Sequence, residues 1–509
     1  MLPSLATTTV LPIVRKTIIG VIAALLIANF RRLLWPNSSK DSNVSEPLPP
    51  GSFGCPLFGH ASFMGSREFG IGSFFTKMLQ KFGDGKIWKY YMLGQPVIVM
   101  SGAERLKHIL NQEFETENGV MIGMEESSLL GYHSLLLEKD GSRHGSLRKL
   151  VGQALTPAAV KEAFPNIQAS AEKQVQRILD AGVVKMEEVC TDFTLDIAWK
   201  QILGLKLSED EIPAFRKAVD NWIGGMASIR VILNIAQEST PSHRARRYLV
   251  KIIKERIEDL KRNGPDASTL SGMVFASDEQ DASQKLTEQE IIDNSLLLIF
   301  AGSETSASTL TVAMQCLGLH PQVWKKLVKE QEMMLEKHGD KITRDALEKE
   351  CPYLDAVVKE AMRIKPIPSG VPRKTMTTKV MDGYQIPKGW LLHWSILLTH
   401  MLDPVTYKED GSHMDIATGF VPERWLDDAT RPSEFMPMGA GPRYCLGAYL
   451  GYAEMKVFLA VIARNVEFKL AEPSKKVVWK RLSVLPKPAS GVPIMARPKT
   501  SFTHLIECL

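Results

Sequence analysis

Towards the C-terminus one cysteine stands in a turn of unusual composition, Phe435-Met436-Pro437-Met438-Gly439-Ala440-Gly441-Pro442-Arg443-Tyr444-Cys445-Leu446-Gly447. Glycines and prolines crowd around it, an arginine lies two residues before it, and a helical pattern follows from Ala448 to about Arg464. Glycine lets a backbone approach a flat object closely, and the amides at a helix start stabilise an anion. A thiolate held there could ligate a metal. No second cysteine lies nearby, so zinc or an iron–sulfur cluster would lack its further ligands. One thiolate alone suits a macrocycle that brings the other ligands itself, namely haem. A buried structural cysteine in a glycine-rich turn would use the same residues, and this stretch by itself leaves both readings open.

A second constellation is Ala301-Gly302-Ser303-Glu304-Thr305-Ser306, small and polar residues that follow the apolar run Leu296 to Phe300. Small side chains make room for a ligand across a helix. The Thr305 hydroxyl can bond a carbonyl one turn back and loosen the helix locally. With the Glu304 carboxylate it would give a proton path into an apolar pocket. Helix packing around Gly302 is the plainer alternative. The element that must carry these residues starts at a capping box, Thr287-Glu288-Gln289-Glu290. It runs to about Leu319, where His320-Pro321 stops it, a helix of about 48 Å. A globular helix that long needs a reason.

Two charged pairs complete the set. Glu360 and Arg363, three apart in Glu360-Ala361-Met362-Arg363, share a helix face, as exposed helices commonly arrange. Arg373 follows ten residues later, in a stretch that Pro366, Pro368 and Pro372 make extended. His144 and Arg148 lie four apart on one face of a predicted helix and by themselves read as two solvated basic residues.

Taken together these motifs resemble those of the cytochrome P450 family, in that family's order and spacing from about residue 140 to 450. The cysteine loop is similar to aromatic-x-x-Gly-x-Arg-x-Cys-x-Gly at Gly441, Arg443, Cys445 and Gly447, with Met438 where the family has an aromatic ring. The 301–305 segment matches Ala/Gly-Gly-x-Asp/Glu-Thr. The resemblance implies a mainly α fold with a minor β-region and haem b (iron protoporphyrin IX) held by Cys445 as metal ligand. It implies a cofactor contact at Ala301 and Gly447, and propionate partners at His144, Arg148, Arg373 and Arg443. It also implies a structural triad of Glu360 and Arg363 with Arg424 of Pro422-Glu423-Arg424-Trp425, and a pocket wall from Ile367 to Val371. The implied reaction is insertion of one oxygen atom from O2 into a lipophilic substrate, with Thr305 and Glu304 as the catalytic pair managing protons. Electrons would come from NADPH through a reductase (NADPH–cytochrome P450 reductase), with cytochrome b5 as a further donor. Members that rearrange peroxides without oxygen activation commonly lack this threonine. The histidine at 144 resembles the sterol and retinoid hydroxylase branch, so the expected substrate is isoprenoid-derived. A fatty-acid hydroxylase, an oxygen-independent isomerase or dehydratase, and a haem protein that binds without turnover are the alternatives.

The bulk numbers allow one large body, and length alone would also allow two or three domains. The chain has 509 residues, 44% of them hydrophobic, enough for a sizeable core. Its six cysteines are irregularly spaced and do not read as a disulfide framework. A net charge of +5 without an aromatic-interleaved basic array gives no support for nucleic-acid binding, and suits an acidic redox partner or anionic membrane. Thr17 to Phe30 is an apolar run followed by Arg31-Arg32. A span needs about 20 residues, so the run must borrow from Val10 to Val14, and a cleaved targeting peptide is the alternative. The flanking arginines favour a retained anchor at residues 1–35, with the body in the cytosol at the endoplasmic reticulum. A polar and proline-rich spacer at 36–51 and a catalytic domain at 52–509 would follow. A hairpin is expected at Lys86 to Met100 around Leu93-Gly94-Gln95, and helices from Ala103 and across about 157–275. Within these, Thr240-Pro241 starts a helix whose basic face (Arg244, Arg246, Arg247, Lys251, Lys254) reads as solvated. Ser277 to Gln284 reads as a loop, and Val477 to Arg497 as a small β-region.

Overall fold

The structure, a computed structural model, describes residues 38–499 apart from 57–58, 61–70, 83–85, 93, 112, 115–119, 122–128, 227–238, 278–284, 474–476 and 481–484, together with Gly20, Leu34 and Trp35. The rest of the expected anchor, Leu93 of the expected hairpin turn and 278–284 of the expected loop lie outside the described residues. The first helices are α1 (Ile71–Phe82), α2 (Ala103–Asn111), α3 (Gly141–Gly152), α4 (Pro157–Ala181) and α5 (Met186–Ile197). Then come α6 (Glu211–Met226), α7 (Pro241–Asn263), α8 (Thr269–Val274), α9 (Glu288–Leu319) and α10 (Pro321–His338). The last are α11 (Arg344–Lys349), α12 (Pro352–Ile364), α13 (Ile396–Met401) and α14 (Ala448–Asn465).

The strands are β1 (Ile87–Met92), β2 (Gln95–Met100), β3 (Val120–Met121), β4 (Val183–Lys185), β5 (Gly370–Lys374), β6 (Lys379–Met381), β7 (Tyr384–Ile386), β8 (Leu391–Ser395), β9 (Val466–Leu470) and β10 (Pro493–Pro498). One sheet has the order β1-β2-β8-β5-β3, parallel only between β2 and β8. Its two faces separate by the period of a strand. Ile87, Ile98, Met100 and Leu392 pack with Leu106 and Leu110 of α2, whereas Trp88, Tyr90, Val97 and Val99 pack with Phe74 and Phe75 of α1. Gln95, expected in the turn, pairs with Met92 inside the hairpin. A second sheet, β4-β10-β9, joins the C-terminal β-region to Val183–Lys185, a strand that occupies a short break in a stretch read as successive helices.

The central element is α9. Its capping box forms as expected: Thr287 Oγ1 accepts from the Glu290 amide at 3.3 Å, and Glu290 Oε2 accepts from the Thr287 amide at 2.9 Å. Among the described residues it is the one helix long and apolar enough to cross a membrane, but 78% of its apolar window is buried in the protein, so it is a core helix. Its first half, Ile291 to Phe300, belongs to a core shared with α3, α6, α7 and α8. Its second half, Ala307 to Leu317, belongs to another core shared with α4, α5, α10, α12 and α14. The segment 301–306 belongs to neither.

Two stretches depart from expectation. Arg246 turns inward from its basic face, donating to Asp293 Oδ1 at 3.0 Å and to the Leu129 carbonyl at 3.1 Å. Asp293, 1% exposed on α9, needs that cation because an unpaired buried carboxylate is costly. Residues 41–51, expected as a spacer, are tied to the body. The Asp41 amide donates to Gln385 Oε1 at 2.7 Å, the Gln385 amide donates to the Pro47 carbonyl at 2.9 Å, and Lys89 binds the Pro49 and Pro50 carbonyls. Proline carbonyls remain acceptors although their nitrogens cannot donate.

The pair on α12 is fully buried. Arg363 Nε donates to Glu360 Oε2 at 2.8 Å, Arg424 Nε to Oε1 at 3.0 Å and Trp425 Nε1 to Oε2 at 2.9 Å. Arg363 Nη2 also caps the carbonyls of His413 and Gly419. This network clamps the segment before the cysteine loop onto α12. Glu360→Ala would strand a buried guanidinium, at a cost of about 3–5 kcal/mol. Thermal unfolding should show a large loss of midpoint or failure to accumulate folded protein. A midpoint near that of the parent would mean that the clamp contributes nothing.

Candidate cofactor site

The cysteine loop holds its shape through backbone geometry. Gly439 (φ 76°) and Gly441 (φ 69°) adopt left-handed conformations that favour glycine. A Cβ on Gly441 would come 2.5 Å from the Leu110 carbonyl oxygen, so α2 can approach the loop only there. The Cys445 amide donates to the Met438 carbonyl at 3.0 Å, and the Gly447 amide donates to the Cys445 sulfur. Surrounding protein raises the thiol pKa, while the Gly447 amide and Arg148 pull it down. The side chain is nevertheless accessible. Met438 packs against the main core.

Beside the loop lies a basic cluster. Arg148 of α3 donates from Nη2 to the Tyr444 carbonyl at 2.7 Å. Arg373 of β5 and Arg443 of the loop share one carboxylate, Glu113, just beyond α2: Arg373 Nε lies 3.0 Å from Oε2 and Arg443 Nε 2.5 Å from Oε1. His144 is buried, not solvated, and its ring lies 4.7 Å from that of Phe114. Desolvation, then the charges of Arg443, Arg148 and Arg373, push its pKa down to about 4, so it is neutral at pH 7.

The middle of α9 faces open space: Ala301 is exposed and Gly302, Glu304 and Thr305 are half-buried, in a helix otherwise mostly buried. Thr305 Oγ1 donates to the Ala301 carbonyl at 2.7 Å, as its type and spacing predict. Glu304 points elsewhere, pairing with Lys487 at 2.7 Å in a polar cavity of about 230 Å³ that Arg216, Asp220 and Lys480 also line. Cysteine loop and helix meet through α14. A Cβ on Gly451 would lie 3.8 Å from Ser306 Oγ, and the buried carboxyl of Glu454 meets the Ser306 hydroxyl, with its pKa pushed up to about 8 by burial.

Among the described residues no group of three or more His, Cys, Asp or Glu could hold a metal ion. What is gathered is one accessible thiol, a cluster rich in guanidinium, and a helix face cleared of bulk. That donor set fits haem, whose porphyrin supplies four ligands and whose propionates need cations, and it defines a haem-thiolate class of site.

Comparison with known proteins agrees. The cytochrome P450 family profile matches residues 49–491, and the chain belongs to that family, whose members are haem-dependent monooxygenases. It is 30% identical to cytochrome P450 26B1 of Xenopus tropicalis over 457 residues (86% of this chain, 85% of the relative). It is 29% identical to the putative cytochrome P450 120 of Synechocystis sp. over 431 residues (84% and 92%). The solved structure titled "Retinoic acid bound cyanobacterial CYP120A1" superposes with a TM-score of 0.75 at 27% identity, covering 89% of this chain and all of that one. The mainly helical P450 fold is therefore as the sequence implied.

Glu113, Lys487 and Glu454 are the site neighbours that sequence reasoning missed. Glu113 sits in Gln112-Glu113-Phe114-Glu115, where nothing local sets one acid apart from the next.

His144, His393 and His400 each have a folded pKa of about 4, desolvation being the largest cause. Against an unfolded value of about 6.5, the unfolded chain binds more protons as pH falls. Their contribution is thus complete above pH 6.5 and is lost towards pH 4. Unfolding midpoints measured from pH 7 to 4 should fall steeply, and His144→Gln, which cannot charge, should flatten part of the slope. An unchanged slope would mean that His144 is charged in the folded protein.

Proposed function

We propose that the chain is a haem-thiolate monooxygenase acting on an isoprenoid-derived lipophile of retinoid type, with Cys445 as the iron ligand. The observation that carries the substrate class is whole-chain similarity to a cyanobacterial P450 whose solved structure is described as bound to retinoic acid. Haem bound here supplies the iron that takes up dioxygen. The chain's own residues do the rest. Arg148, Arg373 and Arg443, with neutral His144, hold the propionates; Gly447 steadies the thiolate; and Ala301 keeps the face of α9 clear for the ring. The Thr305 hydroxyl relays a proton into the pocket, taking one up at Oγ1 as it gives one, so that it stays neutral. Glu304 supplies that proton after its carboxylate leaves Lys487 and takes one up from solvent in the polar cavity that Glu304 and Lys487 line. The stretch from Ile367 to Val371 walls the lipid site.

Electrons come from NADPH through NADPH–cytochrome P450 reductase, with cytochrome b5 as a second donor. Residues 1–35 anchor the protein in the endoplasmic reticulum, leaving the body on the cytosolic side. The apolar run before Arg31-Arg32 supports that reading.

The test is a binding screen that reads the low-spin to high-spin Soret shift across retinoids, sterols, other terpenoids and fatty acids. A retinoid or related terpenoid should bind tightest and be oxidised in an oxygen-dependent reaction. Tightest binding of a fatty acid, or turnover without oxygen, would overturn the assignment. With the same ligand, Thr305→Ala should bind equally but form at least about tenfold less product per NADPH consumed.

A further inference from the structure

Resting on the haem reading above, we propose that Glu113 is a positioning residue of the propionate cradle. Its one carboxylate aligns Arg373 and Arg443 and sets the cradle's charge to match two propionates.

The geometry is that of a buried three-group network. Glu113 is 2% exposed at its side chain, Arg373 6% and Arg443 8%. Each arginine reaches Glu113 through Nε, which fixes the direction of the remaining N–H groups. Arg443 spends Nη1 on the Leu135 and Leu136 carbonyls and Nη2 on that of Glu138. Of five N–H donors it keeps about one for a ligand. Arg443 therefore mainly binds the segment 135–138 to the cysteine loop. Arg373 uses Nη1 only weakly, on the Pro372 carbonyl at 3.3 Å, and its guanidinium lies 5.8 Å from the centre of the Trp394 ring. Among the described residues its Nη2, and the Nε and Nη1 of Arg148, meet no hydrogen-bond acceptor. The donors left for a bound anion thus come chiefly from Arg148 and Arg373, and Glu113 aims the second of these.

Charge leads to the same assignment. His144 is kept neutral by desolvation first, and three guanidinium groups lie close enough to add to it. Less the Glu113 carboxylate, two positive charges remain, the number that two propionates neutralise. Without Glu113 a positive charge would stay uncompensated beside the macrocycle. Buried charges are costly unless paired, and an unpaired cation near the iron favours the reduced form.

The variants are Glu113→Gln, similar in shape but neutral, and Glu113→Asp, which keeps the charge. The readouts are the midpoint potential of the iron and the rate of haem transfer to apomyoglobin. Glu113→Gln should shift the potential positive and speed haem loss by about tenfold, the effect of losing a charged hydrogen bond. Glu113→Asp should keep the potential near that of the parent. Should Glu113→Gln take up no haem, Glu113→Asp, which keeps the charge, should still load it. A parental potential in Glu113→Gln, or a Glu113→Asp that behaves no better than Glu113→Gln, would overturn the proposal. The carbon monoxide spectrum of the parent reports on the haem assignment separately from all of these readouts.

Discussion

A helix that passes through two hydrophobic cores must still leave a gap between them, and this constraint organises the protein. α9 is buried nearly all round where it joins each core, and it can be so long because burial stabilises both of its halves. Between them Ala301–Ser306 belongs to neither core. A bulky apolar residue there would fuse the two cores and close the space. The Thr305 and Ser303 hydroxyls satisfy themselves on the Ala301 and Ile299 carbonyls, so these polar groups at the gap carry their own partners. Everything else in the site is placed by reference to this gap. α14 brings the cysteine loop alongside Ser306, and α3, β5 and the loop each deliver an arginine.

The basic cluster beside the cysteine loop runs against ordinary charge economy. Guanidinium groups repel, yet Arg148, Arg373 and Arg443 all lie near enough to depress the His144 pKa. Burial of like charges holds only when anions share the site. Glu113 is the anion the chain supplies, and a dianionic cofactor fits the remainder. The neutral histidine matters for the same reason, since a fourth cation would worsen the imbalance.

Local chemistry was legible in the sequence and long-range pairing was not. The Thr287 capping box, the helix stop at His320-Pro321, the Thr305 back-bond and the Glu360–Arg363 pair are each settled within one or two turns, so residue type and spacing suffice. Arg424 and the cysteine loop were placed by family resemblance. Glu113 was invisible because its partners lie 260 and 330 residues away in sequence. Arg246 read as solvated because its partner Asp293 sits on another helix, and Lys487 hid in a proline-broken tail. The three-residue strand Val183–Lys185 exists only because Pro493–Met495 pairs with it. Residues 41–51 read as a spacer because their anchors, Gln385 and Lys89, are remote.

The central claim is that the isolated Cys445 supplies the thiolate to haem. The most direct measurement is the spectrum of the reduced protein under carbon monoxide, for the parent and for Cys445→Ala. The parent should show the Soret band of thiolate-ligated haem, and the variant should lose it, because the other described cysteines near the cores, Cys190, Cys316 and Cys351, are buried in them. A thiolate band that survives in Cys445→Ala, or a parent that loads haem without ever showing one, would contradict the account.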